Sequence, residues 1–531
     1  MEQNDSSATN RKIAKASAIL MAASIAGHAL SLGKEMLVAN YFGITRAMDA
    51  YYAAMSVVNW ITPIFASPFV LIFTPIFAKY KTLDKKEADM LAATLINGVL
   101  AALAVALIAV FIFSDHIMRY AFSGFDPSAR VLASGLLRIL CVSTLFGVLA
   151  TICTAILNVN EHFFWPSVST MFVSLSTMAM LFLFANTKGA YVFAWGMLLG
   201  LVLQFLFLAP LLHRYGYRHS FVAVVDHVEI RNALKSYATL SAMAVIAGAG
   251  GVVNRVMAAW LPTGSISALG YADKLVQVPL VIFSGSVVTA IYPYFSGQIA
   301  GNKMEDMKHT LAISIRMGGF IFAPITALMM TLSAPVVALL FQRGAFDASA
   351  TALTSTVLIF CAFQLFPVYS LAVMQRLVFA FQDVASVARI TAVSIALTIA
   401  LNYIFMKTIN PPAAGIALSG AVVCVISAFL YSVVLKKRMK NLHGILILKS
   451  LAAISLAAAV AGAATRLAFG YLSTIQYQAV APVFAKSFVI AASASVGVAV
   501  YAVAAVIFKF EEAQKVIAAV KSKMSRRKAG I

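Results

Sequence analysis

What most constrains this chain is a succession of apolar runs, each longer than twenty residues and divided from the next by a short polar break. They fall near 14–43, 50–78, 89–113, 131–159, 164–186, 190–212, 232–261, 267–296, 310–333, 350–378, 384–408, 413–435, 446–470 and 485–509. A helix needs about 20 mostly apolar residues to cross the hydrocarbon of a bilayer, whereas barrel strands need only about 9–11 with alternating polarity. The runs therefore predict an all-α, polytopic membrane protein of about fourteen transmembrane helices. Composition agrees, with 62% hydrophobic and 11% charged residues where soluble domains average about 45–50% and about 25%. A soluble enzyme, a disordered chain and a free nucleic-acid binder are excluded. The longest break, around His213–Arg231, is too short for a separate soluble domain.

The net charge of +21 has a topological reading. With an even number of spans both termini share one side. That side collects 28 of the 40 lysines and arginines, the opposite loops hold 7 (Arg46, Arg119, Arg130, Lys188, Arg343, Lys407 and Lys486), and five lie within spans. Basic loops stay in the cytoplasm, so both termini are expected there and no nucleic acid is needed to explain the charge. The basic tail, from Lys521 to Lys528, is also suited to anionic headgroups. Residues 1–17 are polar and basic like the start of a signal peptide, but the apolar pattern runs on past Lys34 and Glu35 to Phe42, which favours a retained first span. Cys141, Cys153, Cys361 and Cys424 lie inside apolar runs with no CxxC pair, and are expected as core residues.

Position n laid over n + 220 places Lys34–Ala54 on Asn254–Lys274, and Thr74-Pro75-Ile76-Phe77 resembles Tyr292-Pro293-Tyr294-Phe295. This predicts two parallel-related six-helix lobes, 1–225 and 226–440, followed by 441–531 with spans 13 and 14 and the basic tail. Such repeats commonly hold a transport site between them.

Ionisable residues inside a span are costly and thus mark function. Lys34 and Glu35 lie in span 1 with His28 about two turns earlier; Asp273 and Lys274 lie early in span 8, with Gln277 after them and Arg255 in span 7. The repeat would set these clusters on opposite walls of one cavity. Neighbouring residues on a helix point about 100° apart, which favours separate partners across that cavity over the alternatives of local ion pairs or charges at the headgroup level. Arg138 and Arg466 sit nearer span ends and are expected to snorkel. Prolines 63, 68, 75, 279 and 293 are expected to bend their helices and free carbonyls, and Gly196-Met-Leu-Leu-Gly200 to form a packing contact. There is no GxxxxGK[ST], HExxH or GxSxG, and no metal-ligand spacing. A transporter without cofactor fits better than an enzyme.

The segment Gly33-Lys34-Glu35-Met36-Leu37-Val38-Ala39-Asn40-Tyr41-Phe42-Gly43, followed by Asp49-Ala50-Tyr51-Tyr52, resembles the first-helix motif of the MurJ (MviN) lipid II flippase family, in which Arg-Asp precedes a run to Phe-Gly and then Asp-Ala-Phe-Phe. Gly264–Leu275 is similar to that family's Gly-Ser-(Val/Ile)-Ser…Tyr-Ala-Asp-Arg-Leu, and Leu340–Phe346 to its loop after span 9. The resemblance implies a member of the multidrug/oligosaccharidyl-lipid/polysaccharide (MOP) exporter superfamily. It places the family's essential pair on Lys34 and Glu35, its span 8 arginine on Lys274 and a further cavity arginine on His28, and it adds Asp49 to the cavity set. The family's Asn-Leu-Leu-Arg-Arg becomes Asn59–Pro63, without a cation. It also implies a groove for the lipid tail formed by spans 13 and 14.

The expected function is a monomeric, multi-pass flippase of the bacterial inner membrane. It would carry an undecaprenyl-pyrophosphate-linked saccharide, lipid II for peptidoglycan biosynthesis, by alternating access, with other cell-envelope synthesis proteins as further partners. The rival readings are an exopolysaccharide or O-antigen repeat-unit flippase and a MATE-type cation or drug antiporter. A polytopic glycosyltransferase would need a large extramembrane loop or an acidic motif that this chain lacks.

Overall fold

The computed structural model describes residues 26–221, 224, 227–440, 444–475 and 482–514. The basic tail beyond 514 and the N-terminal basic residues lie outside them. Among the described residues there is helix and no strand: α1 (26–42), α2 (Arg46–Leu83), α3 (Lys85–Ile112), α4 (Ser114–Ala121), α5 (Pro127–Val159), α6 (Phe164–Ser169), α7 (Met171–Lys188), α8 (Tyr191–Arg214), α9 (Val228–Ala258), α10 (Ser265–Ala300), α11 (Met304–Thr331), α12 (Ser333–Phe341), α13 (Ala348–Ala362), α14 (Leu365–Ala380), α15 (Val384–Thr408), α16 (Pro412–Met439), α17 (Gly444–Thr474) and α18 (Pro482–Ile507). Thirteen helical segments among the described residues are long and apolar enough to cross a bilayer. The expected first span, near 14–43, is helical over 26–42, and its earlier residues lie outside the described ones.

Polar residues set the helix starts. Asp84, Asp126, Asp347 and Asp383 each turn a carboxylate onto the free amides that open the next helix, at Lys86, Ala129, Ala350 and Ser386. The Arg438 side chain donates to Asp383 at 2.7 Å; that bond, with the Ser386 amide, holds the Asp383 carboxyl below the usual carboxylate range.

The chain forms two compact units. The first comprises the described residues up to Ser267 together with Arg343–Phe346. Its helices α2, α5 and α8 pack in sequence, α7 lies on α8, and α9 lies along α2. The GxxxG segment lets α7 and α8 touch at backbone distance. A Cβ on Gly196 would stand 2.7 Å from Thr177 Cα, one on Gly200 would stand 2.5 Å from Val173 Cα, and Ser176 donates to the Gly196 carbonyl at 2.7 Å.

Helix α2 runs unbroken through Pro63, Pro68 and Pro75. A proline has no N–H for the carbonyl four residues earlier, so Pro68 orphans Ile64. The Ser241 hydroxyl of α9 fills that gap at 2.9 Å, and the Tyr237 hydroxyl donates to the neighbouring Phe65 carbonyl at 3.1 Å. Trp60, within the segment where the resembled family has cations, donates its indole N–H to the Val245 carbonyl at 2.8 Å. This part of α2 spends its polarity on α9.

The second unit comprises Ala268–Gln342 and the described residues from Asp347 onward. Helix α11 packs on α17, α17 on α18, and α16 on α13, α14 and α15. Beyond α18 the chain turns at Lys509, and Phe510 and Ala513 join a core with Ile454, Ala458 and Tyr501. Buried Arg316 of α11 clasps this turn, pairing with Glu512 at 2.6 Å and Glu511 at 3.0 Å. In both units the outward side chains are large and apolar, among them Val105, Leu183, Leu206, Phe429, Leu467 and Val503, as a lipid solvent requires.

Candidate functional site

In the first unit α1 carries His28, Lys34 and Glu35. Lys34 and Glu35 pair with each other at 2.9 Å, their side chains 16% and 6% exposed. The expectation of separate partners is therefore overturned for this pair. The Cβ directions of neighbours do diverge, but four methylenes on lysine and two on glutamate let the charged tips converge in front of the helix. The other Glu35 oxygen accepts from the Tyr52 hydroxyl at 3.5 Å, and Tyr51 lies against Tyr52 and Phe193 with ring centroids 5.6 and 5.0 Å away. Thus the tyrosines that follow Asp49 wall in the pair. His28 is half-buried on the same helix.

Asp49 is placed differently. It is 1% exposed and accepts from the Gly264 amide at 2.7 Å, the Ser267 amide at 2.8 Å and the Ser267 hydroxyl at 2.9 Å. These are the amides around the start of α10, where unpaired N–H groups and the helix dipole favour an anion. The described geometry makes Asp49 a helix cap. Arg255, near the end of α9, donates to the Ile266 carbonyl at 3.1 Å.

In the second unit Asp273 and Lys274 are half-buried on α10, and Gln277 is exposed one turn later. The Cys361 thiol, buried as expected of a core cysteine, points to Asp273 at 3.9 Å. Cys141 and Cys153 are also buried and Cys424 is half-buried. Among the described residues no three histidines, cysteines or carboxylates gather as metal ligands.

Two further cations have clear surroundings. Arg138 donates to Asp115 at 2.5 Å and Ser114 at 2.8 Å, so it fastens α4 to α5. Arg466 sits exposed at the side of an apolar groove of about 580 Å³. That groove is not built from spans 13 and 14 together. It lies between α17 and helices α11, α14 and α16, bordered by Gly319, Ala323, Phe366, Ala458 and Gly462, and no α18 residue lines it. Helix α18 instead packs on the cluster around Tyr501, whose hydroxyl donates to the Phe320 carbonyl at 2.9 Å. The four-residue spacing of Gly319, Ala323 and Ala327, and of Ala458 and Gly462, was the available signal.

These helices and the charges within them define a class, polytopic all-α membrane proteins that share the fold of solved MurJ and MATE structures. The chain superposes on a solved structure described as lipid II flippase MurJ in an inward closed conformation with a TM-score of 0.75, at 22% identity over 92% of this chain and 98% of that one. It superposes on an inward-facing MATE family multidrug transporter with a TM-score of 0.66, at 15% identity over 78% and 95%. Within that class, the model of the lipid II flippase MurJ family matches residues 38–486, so the chain belongs to that family. Similar relatives are a probable lipid II flippase MurJ of Buchnera aphidicola subsp. Schizaphis graminum, 27% identical over 75% of this chain and 78% of its own, and the lipid II flippase MurJ of Burkholderia cenocepacia, 25% identical over 77% and 80%.

Proposed function

We propose that the protein is an inner-membrane flippase that moves lipid II, an undecaprenyl-pyrophosphate-linked saccharide, to the outer leaflet by alternating access of its lobes, 1–225 and 226–440. The observation that carries this reading is the walled-in Lys34–Glu35 pair, in the segment that resembles the family's first-helix motif. A pyrophosphate crossing a low-dielectric interior needs countercharge. Lys34, Arg255 and Lys274 supply it, while Glu35 and Asp273 hold those cations between cargoes. Lys34 meets Glu35 before the cargo arrives, so the incoming phosphate displaces a carboxylate, and Tyr52 stands ready to keep that carboxylate in place. His28 and Gln277 widen the polar lining. The groove beside Arg466 suits the prenyl tail, which stays in lipid while the head crosses. Both termini are cytoplasmic on this reading.

One observation favours a second cargo. Lysine at 34 and 274 gives up the bidentate fork with which arginine grips phosphate, and Asn59–Pro63 carries no cation. An exopolysaccharide or O-antigen intermediate is the alternative. Complementation of a strain depleted of its lipid II flippase separates the two, with growth expected for lipid II and arrest pointing to the other glycan. In that strain Lys34→Ala and Lys274→Ala should each abolish growth while the protein remains inserted. Because Lys34→Ala strands buried Glu35, Lys34→Ala/Glu35→Gln serves as the control for folding. Full activity in both lysine variants would remove the cavity assignment.

A further inference from the structure

At the end of α10 a cavity of about 350 Å³ is lined by Pro293, Tyr294, Gly297, Gln298 and Lys303. Its parts are held in place by the turn that follows. The Asn302 amide donates to the Ile299 carbonyl at 3.1 Å, the Lys303 amide donates to the Gln298 carbonyl at 2.9 Å, and Asn302 adopts a left-handed φ of 54°. This is a Schellman cap, and it sets Lys303 back over the last turn of α10.

The amide of Gln298 has one possible orientation. Thr310 of α11 spends its hydroxyl hydrogen on the Asp306 carbonyl at 2.8 Å, so its oxygen must accept, and it accepts from Gln298 Nε2 at 2.8 Å. Gln298 Oε1 is then left as a buried acceptor without a partner, a state that is costly until a donor arrives. Tyr294 adds a ring 67% exposed, where the related segment of the first half carries Ile76. Gly297 leaves the space, for a Cβ built there meets nothing within 4 Å. Glycine in a helix interior costs about 1 kcal/mol relative to alanine. Here it keeps the cavity open.

A cation and an open aromatic face within one cavity, with the unpaired Gln298 acceptor buried behind them, ask for one kind of ligand: a sugar ring that bears an anionic group. We propose that this cavity is a subsite for the anionic amino sugar of the lipid-linked head, which it engages on the cytoplasmic side before transit. The identity of the ligand rests on the flippase reading; the site itself does not.

The test uses the full chain in detergent and N-acetylglucosamine 1-phosphate as probe, read by saturation-transfer NMR. Sugar-ring signals are expected with the unaltered protein and with Lys34→Ala, and are expected to vanish in Gly297→Leu, which fills the cavity, and in Tyr294→Ala, which alters only an exposed ring. In proteoliposomes, Gly297→Leu and Tyr294→Ala should raise the half-saturating concentration of lipid II about tenfold, the loss expected of one or two polar contacts, with the maximal rate retained. No saturation transfer to the unaltered protein, equal transfer to Gly297→Leu and Tyr294→Ala, or a fall in maximal rate without a change in half-saturation would each overturn the subsite. Absence of lipid II flipping alongside intact saturation transfer would instead refute the flippase reading and leave the sugar site standing.

Discussion

At the scale of single residues, the two acids of the first-helix motif do different work. Glu35 neutralises a cation inside the membrane, and Asp49 neutralises the amides that open a helix. Glu35 was legible as a costly charge, and Asp49 only through the family resemblance. Their partners were not, because Asp49 meets Gly264 across 215 residues of chain and nothing local in the sequence points there. The Lys34–Glu35 contact follows only when side-chain length is set beside helical direction. Asp49→Asn keeps the shape but turns an amide N–H₂ toward one donor. It should lower stability by about 1–3 kcal/mol, the range for a lost bond to a charged acceptor, measured as a fall in the thermal midpoint in detergent. The half-saturating concentration of lipid II should stay unchanged among the molecules that remain folded. A variant of normal stability with weakened lipid binding would instead return Asp49 to the cavity.

At the scale of elements, α9 supplies a donor to the carbonyl that Pro68 orphans in α2, a helix with three prolines. The sequence reading expected freed carbonyls to face a cavity, yet Ser241 and Tyr237 of α9 meet the carbonyls of Ile64 and Phe65. Proline positions reveal which carbonyl is orphaned, whereas the donor that finds it depends on packing. Hydrogen bonds between helices in a membrane average about 0.6 kcal/mol and reach about 1.7. Ser241→Ala and Tyr237→Phe should therefore each cost a fraction of a kcal/mol, and together about 1 kcal/mol, followed by graded SDS unfolding. Thr239→Ala, whose hydroxyl bonds only within its own helix to the Lys235 carbonyl, should leave the unfolding curve where it is. A double variant as stable as the parent would mean that α2 needs no support from α9 around Pro68.

At the scale of the whole molecule, the number of crossings was readable because length alone decides it. Each run long enough for the bilayer became a helix wherever its residues are described. The apolar groove beside Arg466 was harder to read, since its walls come from α11, α14, α16 and α17 and only folding brings them together. Orientation rests on the placement of lysine and arginine, 28 on one side against 7 on the other, and it can be tested without the cargo. Three native cysteines are buried and the fourth is half-buried, so a membrane-impermeant maleimide has little to react with in the parent protein. Single cysteines at exposed Arg119 and Lys188 should label in intact spheroplasts. Cysteines at exposed Lys81 and Lys437 should label only after permeabilisation. Moving the charge bias should move the result, because the bias over short loops is what sets insertion. Replacing Lys79, Lys81, Lys85 and Lys86 together by glutamine should give a mixed labelling pattern at 119. The reverse pattern in the parent would place the basic face outside, and with it the Lys303 cavity, where a precursor made in the cytoplasm could not reach it first.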